Sequence, residues 1–296
     1  MRGKIGLFLL LFSFMAATAF SAPKKTIAVI QFDNKSSWHG GWEIGWGMQE
    51  MTATALIDTG QFTVLERQEL GGILTEQDLA ASGRSAAGSA AATGQLGRAQ
   101  VVIAGAITEF EHKAGGEGGG IGFKGIRLGG SQERAHVALN MRLIDTTTGE
   151  VLDSIRVTGQ AASRGLKIGY SSSDFGGDIG GFRKTPMGEA TQNAINDAVK
   201  QIVSRMKNIP WQAKLIRADD KQVYINAGKD AGVTEGTEFT IYRQGEQLTD
   251  PDSGMVLGAI TSRIGKIKVQ SVQDKFAIAS VVEGSGMERN DLVKEQ

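Results

Sequence analysis

The chain has 296 residues with 32 basic and 32 acidic side chains, so it carries no basic field that would hold nucleic acid. It contains no cysteine, which argues against disulfides, a thiol nucleophile, a cysteine-ligated zinc and the acylated N-terminus of a lipoprotein. Glycine is abundant at 41 residues and proline scarce at 4.

Arg2 and Lys4 open the chain, Ile5 to Ala17 is an apolar run, and Ala19 and Ser21 fill the small-residue positions before a cut at Ser21–Ala22. This is the layout of a cleaved signal peptide over 1–21, and it predicts export; the run is short for a membrane span. No long apolar segment follows, so a membrane role would come from amphipathic strands or from the surface of a soluble protein.

Thr26 to Phe32 is apolar and β-branched and predicts a buried strand. Asn34 to Gly41 reads as a loop. From Trp42 to Asp58, the residues Ile44, Met48, Met51, Ala55 and Leu56 recur at helical spacing, and Gly60 closes the segment. Phe62 to Leu65 predicts a short strand, and Glu66 to Ala81 a helix with Leu70, Ile73, Leu74 and Leu79 inward. The Ala/Ser/Gly stretch from Ser82 to Gly97 holds a short helix at most, and Gln100 to Ile107 is the next strand.

Glu109 to Glu133 is then long, glycine-rich and charged. Arg134 to Leu143 alternates, with Val137, Leu139, Met141 and Leu143 on one face and Arg134, His136, Asn140 and Arg142 on the other. Glu150 to Gln160 predicts a strand, Ala161 to Lys184 is a second glycine- and serine-rich stretch, and Met187 to Met206 is a strongly amphipathic helix. Past the Asn208-Ile209-Pro210 linker come six short strands. They are Ala213–Arg217, Gln222–Asn226, Glu238–Tyr242, Met255–Ile260, Lys266–Val272 and Phe276–Val282. The turns between them complete a small all-β barrel or sandwich of roughly ninety residues.

The chain offers little chemistry for an enzyme. Its three histidines, His39, His112 and His136, do not pair at metal spacing, and no nucleophile elbow, phosphate loop or H-E-x-x-H motif is present. Gly120 to Gly125 fits G-x-G-x-x-G, but Ile-Arg-Leu-Gly-Gly after it is a poor helix start. Asp250-Pro251-Asp252 reads as a tight turn rather than a calcium loop. The expectation is a protein that is not an enzyme, with no catalytic residue, cofactor or metal.

The two glycine-rich stretches carry two readings. One is a pair of surface loops. The other is a pair of β-hairpins that leave a globular body and join those of neighbouring copies in a barrel, since long structureless loops inside a compact domain are uncommon. Ile121 and Phe123 alternate, Ile126 and Leu128 alternate in the opposite phase, with Lys124-Gly125 as the bend, and Leu166, Ile168 and Tyr170 alternate again. Barrel strands carry a weak signal of this kind. Two hairpins cannot close a channel alone, so this reading requires a ring of copies. Three tryptophans, Trp38, Trp42 and Trp46, would share a helical face if the first helix began early. They read either as core or interface packing or as an aromatic constriction.

Leu65-Glu66-Arg67-Gln68-Glu69-Leu70 followed by Ile73-Leu74-Thr75-Glu76-Gln77 resembles the hallmark of the CsgG family of curli-secretion proteins. The strand Ile27–Phe32, Ala104-Gly105-Ala106-Ile107, and Leu143-Ile144-Asp145 with Thr148 to Leu152 fit the same family, so the resemblance spans about Thr26 to Met206. It implies an α/β (α+β) periplasmic domain, over 22–208, with two inserted β-hairpins at about 106–143 and 150–185. These hairpins would feed a multi-subunit transmembrane β-barrel in the outer membrane. It further implies a homo-oligomeric ring that passes unfolded polypeptide by diffusion, without nucleotide, through a constriction between the first strand and the first helix. By position Trp38, His39 and Trp42 would line that constriction, although the family's usual side chains differ. The segment 209–296 resembles the C-terminal domain of the flagellar ring protein FlgT, through Val223–Asn226, Asp250–Gly254 and Ile264–Val269. That resemblance implies a binding module for a periplasmic accessory protein. The expected location is periplasm and outer membrane after export, and not as a lipoprotein. A soluble periplasmic adaptor or ring-assembly protein with no pore stands as the alternative.

Overall fold

The computed structural model describes residues 22–38, 43–82, 96–115, 121–123, 126–128, 131–165, 179–219, 221–252 and 256–295. In chain order the first part comprises β1 (Lys25–Val29), β2 (Asp33–Asn34), α1 (Ile44–Asp58), β3 (Phe62–Leu65), α2 (Leu70–Ala81) and β4 (Val101–Gly115). It continues with β5 (Ile121–Phe123), β6 (Ile126–Leu128), β7 (Ser131–Asp145), β8 (Val151–Gly165), α3 (Ile179–Phe182) and α4 (Pro186–Met206). One sheet runs β3-β1-β4-β7-β8, with β2 beside β4. It is parallel on the β3-β1-β4 side and antiparallel from β4 to β8.

The alternation read in the sequence decides which face is covered. Val137, Leu139, Met141 and Leu143 of β7 are all fully buried, and α4 lays Ala190, Ala194, Ile195, Ala198 and Ile202 over that side. Thr185 caps α4 by accepting a hydrogen bond from Gly188 N at 3.1 Å, and Pro186 occupies the first turn where its missing N–H costs nothing. Helix and sheet approach so closely because β8 carries Gly159 at the crossing. A Cβ there would lie 1.8 Å from Ala190 O and 2.6 Å from Ala194 N. On β4, Gly105 likewise leaves room for the ring of Phe32, which is 2% exposed.

Three expectations change. The first strand is shorter than predicted, ending at Val29, and the chain re-enters the sheet as β2. Strand β4 runs on past Ile107 to Gly115, because a bulge between Ile107 and Glu109 shifts the phase and brings Phe110 into the core. Helix α2 forms, but Leu70, Ile73, Leu74 and Leu79 do not point into a core: no residue of α2 is buried, and Leu74 and Leu79 are more than two-fifths exposed. The physical reason is that α1 and α4 already cover the core, while α2, on the connection from β3 to β4, packs closely against no other described element.

Beyond Pro210 the chain closes a six-stranded barrel from β9 (Gln212–Ala218), β10 (Gln222–Ile225), β11 (Glu238–Thr249), β12 (Val256–Val272), β13 (Ala277–Gly284) and β14 (Leu292–Lys294). The predicted strands Met255–Ile260 and Lys266–Val272 are one strand, β12, bent by bulges where it pairs with β11 and β13. Trp211 and Phe239 stack at 5.0 Å inside this second core, which is separate from the first. Among the described residues, three hydrogen bonds tie the two parts together. Lys24 N donates to Ala231 O at 2.6 Å, Thr63 Oγ1 to Asp230 O at 3.0 Å, and Gln100 Nε2 to Pro210 O at 2.7 Å.

Candidate functional site

The root of the β4–β7–β8 ribbon is where the fold departs from a closed α/β body. On the helix-covered side, three aromatic rings end the core. Phe110 stacks on Phe182 at 6.4 Å, and Trp38 meets Phe110 edge-on at 5.1 Å with planes 68° apart. Phe182 reaches this spot because α3 turns directly into the cap of α4. Trp38 is held by the loop after β2. Asn34 Nδ2 donates to Trp38 O at 2.9 Å, Asn34 Oδ1 accepts from Ser36 N and Oγ, and Ser36 Oγ accepts from Trp38 N at 3.3 Å. The Trp38 indole N–H is buried without a hydrogen-bond partner among the described residues.

The open face at the same level is polar. His136 Nε2 and Glu109 Oε2 are 2.8 Å apart. Register places Glu111, His136 and Gln160 in one line across β4, β7 and β8. Together with Arg134 they border an open hollow of about 750 Å³ floored by Ala135, Ala161 and Ala162. A belt of carboxylate, imidazole, guanidinium and amide groups can hydrogen-bond a polypeptide backbone. No nucleophile stands beside a base in it. Among the described residues no three His, Asp or Glu side chains converge to hold a metal ion.

Past this level the ribbon continues. The β4–β7 pairing runs from Val101↔Asp145 to Gly115↔Gln132 with one shift at the bulge after Ile107, and β7–β8 runs from Ile144↔Val151 to Ser131↔Gly165 with one shift at Leu143. Between them β5 pairs antiparallel with β6, matching Ile121 to Leu128 and Phe123 to Ile126. At the other end of β8, Asp153 takes two hydrogen bonds from Arg205 of α4 at 2.8 and 2.6 Å. The guanidinium, with the Ser154 N–H, holds its carboxyl below the ordinary value against a smaller opposing effect of burial.

Of the residues singled out in the sequence, Ile121, Phe123, Ile126 and Leu128 fall in β5 and β6. His39, Trp42, Leu166, Ile168 and Tyr170 lie outside the described residues. Trp38 is placed half-buried against the core. Helix α1 starts at Ile44, so Trp38 does not share a helical face with Trp46. The roles of Phe110 and Phe182 were not read from the sequence. Thr185-Pro186, a helix-start pair directly after Phe182, was the available signal.

Comparison with known proteins bears on the same segments. The sequence model of the family described as curli production assembly/transport component CsgG matches residues 10–235. That of flagellar assembly protein T, C-terminal domain, matches residues 220–293. A Neisseria meningitidis serogroup B protein named as a lipoprotein is 25% identical over 201 residues, covering 66% of this chain and 82% of its own length. The curli production assembly/transport component CsgG of Escherichia coli K12 is 28% identical over 123 residues, 40% of this chain and 44% of that relative. Among solved structures, a Neisseria meningitidis lipoprotein aligns with TM-score 0.31 at 16% identity, over 62% of this chain and 99% of its own. The PelC dodecamer of Paraburkholderia phytofirmans aligns with TM-score 0.30 at 16% identity, over 60% and 89%. These names correct one expectation. The sequence pointed to periplasm and outer membrane and excluded a lipoprotein, whereas the relative that shares 66% of the chain is named a lipoprotein, so that exclusion does not stand. It rested on a cysteine count alone, which says nothing of how related chains are held at a membrane.

Proposed function

Because the chain belongs to the CsgG family of curli production assembly/transport components, we propose that it is a subunit of an oligomeric outer-membrane protein-secretion channel. It is not an enzyme. It passes unfolded extracellular subunits, of amyloid or adhesin type, by diffusion and without nucleotide.

The observation that carries this reading is the ribbon. Phe110 and Ala135 are the last buried side chains among the described ones on β4 and β7, and the two strands remain paired beyond them. The chain between those two residues is long enough for two strand crossings of a bilayer at about ten residues each. A hairpin of that kind is satisfied in lipid only when its edges pair with other hairpins, which requires a ring of copies. In this reading the second hairpin runs from β8 towards α4, through residues outside the described ones. Trp38, His39 and Trp42 narrow the passage below the barrel, and the belt of Glu111, His136 and Gln160 sits at its mouth.

The test is reconstitution of the purified, detergent-extracted protein into planar bilayers. Ring-shaped particles and discrete conductance steps are expected, with larger steps for Trp42→Ala. A protein that extracts with carbonate, stays monomeric and gives no steps refutes the channel. One observation favours a second reading, a periplasmic adaptor or ring-assembly protein. The closed barrel matched to flagellar assembly protein T is fastened directly onto the sheet. The same experiment decides between them, since the adaptor gives no conductance.

A further inference from the structure

Helix α2 buries no side chain, and the would-be Cβ positions of Gly71 and Gly72 meet nothing within 4 Å. Leu70, Ile73 and Leu74 stand three and four apart and share one side of it. Glu69 and Glu76 border this stripe on one flank and Asp78 on the other, and the helix carries no basic residue. Among the described residues Leu70 and Ile73 are only half-buried and Leu74 is exposed, and a helix of twelve residues is marginal in water without packing, so the stripe is open to a further surface.

The side of the sheet that carries α1 and α4 offers such a surface. Between α1 and α4 lies a groove of about 460 Å³ floored by Met51, Ala55 and Val199. Arg183 and Lys200 stand on its rim, and Asp58 is its one acid. The subunit therefore carries an apolar stripe with acidic borders on α2 and an apolar floor with a basic rim between α1 and α4. We propose that α2 of one copy seats in the α1–α4 groove of the next. The two surfaces differ, so the contact is heterologous and head-to-tail, the kind that generates a ring when its rotation closes. This rests on the homo-oligomer of the proposed function and assigns it a contact outside the membrane. Lys200 already pairs with Asp197 at 3.0 Å in an exposed position, so the rim charges steer docking and are sensitive to salt.

The chain lacks cysteine, so each introduced thiol is unique. Leu74→Cys chains mixed with Thr54→Cys chains and oxidised should give a cross-linked dimer on a non-reducing gel. Either variant alone should give none, and the double variant should give a ladder. A cross-link of Leu74→Cys to itself, or to a foreign envelope protein instead of a second copy, overturns the proposal. So does an oligomer by sedimentation that forms no mixed cross-link, and in that case the channel reading survives. A chain that sediments as a monomer overturns both. On exposed positions that leave the fold alone, Glu76→Lys with Asp78→Lys should weaken association at least tenfold. Arg183→Glu with Lys200→Glu on the same chain should restore it, and unchanged association in either overturns the charge match.

Discussion

At the residue scale, Asp291 is the most consequential charge in the barrel. It is 5% exposed and accepts from Arg243 Nε at 3.0 Å, Arg243 Nη2 at 2.9 Å and Glu288 N at 2.8 Å. Arg243 also donates to Gly286 O, so one guanidinium joins β11 to the segment that leads into β14. The bond to Asp291 raises the Arg243 pKa above its ordinary value. Asp291→Ala removes three accepted bonds and leaves the guanidinium with only Gly286 O and the exposed Glu288, 3.3 Å away. A loss of about 3 kcal/mol is expected in denaturant titration, the lower end for breaking a buried pair because Arg243 is one-third exposed. A loss under 1 kcal/mol would contradict this. Asp153 supplies a pH signature. Its folded-state pKa is lowered, so its contribution is present above the unfolded value of about 3.9 and is lost as pH falls through the folded one. Asp153→Asn should cost up to about 1 kcal/mol at pH 7, since Arg205 is partly exposed, and nothing near pH 2. A difference that persists undiminished in acid would refute the link.

At the scale of elements, fit between helix and sheet is the stringent constraint. Gly159→Ala would set a methyl carbon inside the contact distance of the α4 backbone, so α4 must lift from β8. The expected cost is about 3 kcal/mol with loss of protection of α4 amides in hydrogen exchange. An unchanged melting curve would show that the crossing is looser than drawn. Much of this layer was legible in the sequence. The alternation of Val137 to Leu143 and the stripe of α4 follow from the spacing of apolar residues, because both elements bury one face against the other. The failure at α2 is instructive, for Leu70, Ile73 and Leu74 also stand at helical spacing. Periodicity reports that a face is apolar, and says nothing of whether the cover comes from the same chain. The continuity of β12 was missed for a different reason. Bulges and a glycine at position 265 interrupt alternation without interrupting the strand, so the sequence looks like two strands.

For the whole molecule, two cores with few bonds between them should unfold separately. The sheet domain and the barrel each bury their own apolar set. Calorimetry is therefore expected to resolve two transitions, and a single transition with equal calorimetric and van't Hoff enthalpies would refute independence. The site was the part least readable from sequence. Trp38 stood out as an unusual aromatic, but its seating on Phe110 depends on a bulge and on a four-residue helix, features set by packing rather than by local pattern.

The bond from Thr63 to Asp230 joins positions 167 residues apart, and Lys24 reaches Ala231 over a longer interval still. Under the proposed function the chain is exported from its N-terminus, and Lys24 and β1 would then emerge long before Ala231. The seam between the two ends would close last, after loop-closure entropy has been met over most of the chain. Assembly of complete subunits would then wait on the end of translocation.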